Sequence, residues 1–112
     1  MIVVAFVAFA TAGFVLRTNA NSAMAASNES RRENTARDLF VSNCARCHGL
    51  DGAGTTELGR KLHVPDLVKE ARGLSAAKIT RVITNGRDDM PGFGKKLTKK
   101  QISSLAAYIR KL

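Results

Sequence analysis

Apolar residues fall into two regimes along the chain. From Met1 to Leu16 they are almost continuous (MIVVAFVAFATAGFVL), interrupted only by Thr11 and Gly13, and the first charged side chain is Arg17. The run is shorter than the ~20 residues a membrane-spanning helix needs. It fits the apolar region of an export signal, and Ala23-Met24-Ala25 supplies the small-x-small pattern at which such signals are cut. Residues 1–25 are therefore predicted to be a signal peptide. The absence of Lys or Arg ahead of the run keeps a retained N-terminal anchor as the alternative. Residues 26–34 (ASNESRREN) hold no apolar side chain larger than alanine and read as a flexible lead-in.

From residue 35 the apolar positions become periodic. Thr35 and Asp38 have the spacing of a helix-capping box, and Ala36, Leu39, Phe40, Asn43, Cys44 and Cys47 recur at helical intervals until Gly49, Gly52 and Gly54 end the pattern. Residues 55–73 are broken by glycines and Pro65, which predicts loop with one short helix near 66–71. Ser75 should cap a helix with the stripe Ile79, Val82 and Ile83, stopped by Asn85-Gly86. Thr98 and Gln101 form a second capping box, ahead of a last helix with the stripe Ile102, Leu105, Ala106, Ile109 and Leu112. No alternating strand pattern and no repeat is present. The expected architecture is an all-α domain of 4 short helices over residues 35–112.

Size sharpens this picture. A chain of 112 residues is one domain at most, too short for a doubly wound sheet or a (β/α)₈ barrel, and its core is modest. Two cysteines cannot build a disulfide framework, so a cofactor is the expected staple. The pentapeptide Cys44-Ala45-Arg46-Cys47-His48 names one, because C-x-x-C-H is the attachment pattern of haem c. On a helix, residues three and four apart share a face, so both thiols can meet the two vinyl groups of one porphyrin edge, with His48 beside them as proximal iron ligand. One haem c per chain, covalent through Cys44 and Cys47, would complete the core. A thioredoxin-like motif would follow a strand, and a zinc site would want a second ligand pair. The sixth ligand must come from His63 or Met90. Pro91 forces Met90 out of helical backbone, and Gly92, Phe93 and Gly94 continue a constrained loop that can aim a thioether. Met90 is the preferred ligand; His63, giving a bis-histidine site, is the alternative.

These segments resemble the class I c-type cytochromes, specifically the small monohaem bacterial periplasmic kind. The resemblance covers residues 35–112 and rests on LFVSNCARCHGLDGAG, MPGFG and LTKKQISSLAAYIRKL. It implies first and last helices that cross near a right angle, with Ala36 and Phe40 against Leu105 and Tyr108, and a Pro65 carbonyl that orients His48. The family's frequent tryptophan at the haem propionates is missing, which leaves Arg60, Arg72 or Arg87 to replace it.

Charge then bears on partners. Lys and Arg number 18 against 9 Asp and Glu, a formal net charge of +9. Nucleic acid is not the expected partner, because Phe40, Phe93 and Tyr108 are assigned to packing or haem contact and leave no stacking platform. Lys99 and Lys100 are exceptional among the cations, since they fall in the first turn of the last helix, where the macrodipole disfavours them. With Lys95 and Lys96 they mark a docking face. The sequence thus predicts a monomeric, exported one-electron carrier rather than a catalyst, with redox partners that present an acidic face, such as a membrane oxidase or reductase complex. The competing class is a small haem enzyme, peroxidase-like or gas-binding, with an open sixth position.

Overall fold

The computed structural model describes residues 18–112, and its regular elements are all helical. Helix α1 spans Thr18–Asn43 and α2 spans Ala45–His48. Two short helices follow, α3 (Glu57–Lys61) and α4 (Leu67–Glu70), the second running into a 3₁₀ turn at Ala71–Gly73. Helices α5 (Ala76–Asn85) and α6 (Lys99–Ile109) complete the domain. No strand forms among the described residues, where pairing is limited to an antiparallel bridge between Arg87 and Met90.

Helix α6 packs against both α1 and α5. Its residues Ile102, Leu105, Ala106 and Ile109 lie at i, i+3, i+4 and i+7, one stripe of the helix, and all four are buried. Ala36 and Phe40 from α1, with Cys44 just past its end, supply the facing stripe, and Ile79 and Ile83 the stripe from α5. Phe40 and Leu105 are fully buried, and each such side chain contributes about 1.5–3 kcal/mol relative to exposure. The Phe40 and Tyr108 rings meet at 5.5 Å with a 53° tilt, as the resemblance implied. Local chemistry fixes the helix ends. The Ser75 hydroxyl accepts from Lys78 N at 3.2 Å, and Thr98 and Gln101 form the full reciprocal box.

Three expectations need correction. The lead-in at residues 26–34 is not irregular: α1 passes through it unbroken, and Thr35, expected as a cap, donates its hydroxyl to Arg31 O at 2.9 Å inside the helix. No glycine or proline occurs from Thr18 to Asn43, and alanine, the best helix former, is frequent. An ion pair between Glu29 and Lys111, at 3.8 Å, ties the extension to the end of the chain. Four helices were also too few. The attachment segment divides at Cys44, and α3 forms where loop was expected. The export signal or anchor lies largely outside the described residues; of its predicted cut site, Ala23-Met24-Ala25, the structure shows exposed helix. Among the described residues no helix is long and apolar enough to cross a membrane.

Candidate functional site

The attachment motif sits where α1 gives way to α2. Cys44 lies at the join, its N–H bonded back to Phe40 O at 2.8 Å, and its own carbonyl accepts from Cys47 N at 3.1 Å and His48 N at 2.9 Å. One turn thus fixes both cysteines and the histidine. The cysteines are unbridged; Cys44 is buried and Cys47 partly so. Burial, and then the neighbouring Cys47, push the Cys44 thiol up to about 11, against the opposing pull of Lys96. His48 is 8% exposed, and its Nδ1 has no hydrogen-bond partner. Burial lowers its pKa and so favours the neutral, metal-binding imidazole, while the nearby Pro65 backbone carbonyl pulls the other way without reaching hydrogen-bonding geometry.

Thr56 and Gly59, which pattern reading passed over, brace this turn. The Thr56 hydroxyl is within hydrogen-bonding reach of Arg46 O (3.0 Å) and Cys47 O (2.9 Å), and accepts from Gly59 N at 2.8 Å. It therefore caps α3 while its single proton is donated to the carbonyl pair at the end of α2. Gly59 touches the Cys47 carbonyl where any side chain would collide. A threonine followed by a glutamate was the local sign of this helix start. The Pro65 carbonyl borders the loop after His48, 3.2 Å from where a side chain on Gly54 would begin.

Met90 and Phe93 are partly buried and pack on the same apolar cluster as Cys44. Lys96 Nζ lies 5.9 Å from the centre of the Phe93 ring. His63 is placed differently. It is exposed, on left-handed backbone (φ 53°) just beyond α3. A buried imidazole with an orphaned nitrogen, two unbridged thiols on one turn and a thioether on the same core form a donor set that fits a covalently held haem.

Known proteins are similar to this chain. The family described as "Cytochrome C oxidase, cbb3-type, subunit III" matches residues 31–109. Cytochrome c6 of Limnospira maxima is 36% identical over 74 residues, 63% of this chain and 82% of that protein. The cbb3-type cytochrome c oxidase subunit CcoP of Azospirillum brasilense is 34% identical over 104 residues, which is 90% of this chain but 34% of the larger subunit. Subunit FixP of Azorhizobium caulinodans, 40% identical over 76 residues (67% of this chain), is covered over 25% of its length. Among solved structures, the KustC0563 c-type cytochrome superposes with a TM-score of 0.62 at 28% identity, over 68% of this chain and 94% of that one. The chain therefore belongs to the family described as cbb3-type cytochrome c oxidase subunit III, and is a small monohaem c-type cytochrome, an electron-transport protein with a covalently bound haem c.

Proposed function

We propose that the chain is an exported, periplasmic one-electron carrier whose haem is joined through Cys44 and Cys47, with His48 and Met90 as axial iron ligands. His48 carries the reading: it is buried, left without a partner at Nδ1, and fixed by the same turn as both thiols. Pro65 is assigned to orienting His48, and Phe93 to flanking the cofactor. Met90 is preferred over His63 because it packs on the cluster that contains Cys44, whereas His63 faces solvent. The haem supplies the redox change. His48, kept neutral by burial, and Met90, a soft sulfur that favours ferrous iron, would hold it. With His48 and Met90 both holding the iron, no position on it would be left for a substrate, the arrangement of a carrier rather than a catalyst.

The partner reading rests on charge. Lys95, Lys96, Lys99 and Lys100 are exposed, and Lys96 is close enough to Cys44 to lower its thiol pKa, so this cationic face adjoins the attachment site. An acidic docking face on a membrane oxidase or reductase complex fits it, and the CcoP and FixP relatives are by name subunits of such an oxidase.

Absorption spectroscopy of the holoprotein tests the ligands. Met90→Ala should abolish the weak sulfur-to-iron charge-transfer band, lower the reduction potential and admit cyanide readily, while His63→Ala should change none of these. A wild-type ferric protein that is high-spin and binds cyanide without hindrance would favour the enzyme class instead.

A further inference from the structure

The loop that carries Met90 is seated on the end of α5 more tightly than a proline alone requires. Phe93 N donates to Ile83 O at 2.8 Å and Gly94 N to Thr84 O at 3.0 Å, so loop amides satisfy carbonyls that a helix C-terminus otherwise leaves to water. On the other side of Met90 the backbone reverses at Asp88-Asp89, with Asp88 at φ 51°. Arg87 N bonds to Met90 O at 3.0 Å and Met90 N to Arg87 O at 2.8 Å. Met90 is thus clamped from both sides. Two glycines make the approach close enough. Gly86, at φ 79°, ends α5 directly beneath the Met90 carbonyl and the Gly92 amide. A side chain on Gly92 would begin 2.8 Å from the carbonyl oxygens of Thr84 and Asn85, closer than real Cβ atoms come to backbone.

We infer that Gly86 and Gly92 are positioning residues for the distal ligand, letting the last turn of α5 act as the anvil on which the Met90 loop is set. The inference rests on the assignment of Met90 as ligand. Neither glycine touches the iron. Each acts by fixing the backbone on which the thioether hangs, and Gly92 is two residues from it. Gly92 is the cleaner probe, because its backbone is not left-handed and a substitution there tests space alone.

The population of protein with Met90 detached governs how tightly an external ligand binds, since apparent affinity scales with the competent fraction. In the ferric holoprotein, Gly92→Ala should weaken the charge-transfer band and tighten imidazole binding about tenfold, equivalent to ~1.4 kcal/mol. Gly94→Ala should shift both in the same direction by less, because its added carbon would meet the Thr84 methyl group at 2.9 Å and one backbone oxygen, Thr84 O, at 3.0 Å, whereas on Gly92 it would meet three backbone atoms at 2.8 Å. Gly73→Ala, with nothing within 4 Å of the added carbon, should change neither. A Gly92→Ala protein with a lowered thermal midpoint but an unmoved band and imidazole affinity would reduce the glycine to a purely structural role and overturn the inference. Should that variant fail to assemble, Gly94→Ala decides, and an unchanged imidazole affinity there overturns it too. Met90→Ala separates the two ideas: if it leaves the band intact, the ligand assignment has failed and this inference falls with it.

Discussion

Asp66 opens α4 with two different contacts to one residue. Its carboxylate accepts from Lys69 N at 3.3 Å and pairs with Lys69 Nζ at 3.1 Å. The Lys69 side chain, above all, holds its pKa below the ordinary 3.8, and slight desolvation opposes the shift. A carboxylate with a depressed pKa in the folded state contributes stability that is complete above its unfolded pKa and is lost as the pH falls through the folded value. Asp66→Asn keeps a capping acceptor but removes the charge. The wild-type holoprotein should therefore melt slightly above the variant near neutral pH, and the gap should close below about pH 4, read as thermal midpoint against pH. A gap of constant size would mean that the charge is not its source. At this scale the sequence was most legible where chemistry depends on neighbours in the chain: the spacing of Cys44, Cys47 and His48 alone puts them on one turn. Thr56 and Gly59 were not legible, because their contacts with Arg46 and Cys47 cross a loop whose path no local pattern specifies.

Helices behaved in the same way. Those with a local cap and a buried stripe, α5 and α6, start at the predicted residues, since Ser75 and Thr98 act within one turn. The start of α1 escaped detection because residues 21–32 are exposed throughout, so no apolar stripe marks them. Propensity and the absence of glycine and proline were the remaining signals, and composition alone reads such a stretch as a lead-in. Lys99 and Lys100 raise a second point about helices. They occupy the first turn of α6, with no acidic residue there to offset them. Replacing both with Glu should hold or raise stability by roughly 0.3–1 kcal/mol per site, measured by denaturant unfolding, because negative charge suits a helix N-terminus.

For the molecule as a whole, that same variant reads out docking. Electrostatic steering acts mainly on the association rate, so the double Glu variant should reduce an acidic partner more slowly than wild type does. The wild-type rate should fall as salt is added, because the screening length is only ~8 Å at physiological ionic strength. Equal and salt-independent rates would return these lysines to the role of ordinary solvated charges. The burial of Cys44 has a consequence for the order in which the protein is made. A closed fold hides this sulfur in the core and holds its proton until about pH 11, so a chain that closes first withdraws one of its two points of attachment. Alkylation of the haem-free chain under native conditions should accordingly label Cys47 before Cys44, and label both alike in denaturant. The expected order of assembly is attachment to a chain that is still open, followed by closure of the fold over Cys44, and preferential labelling of Cys47 is the outcome that supports it.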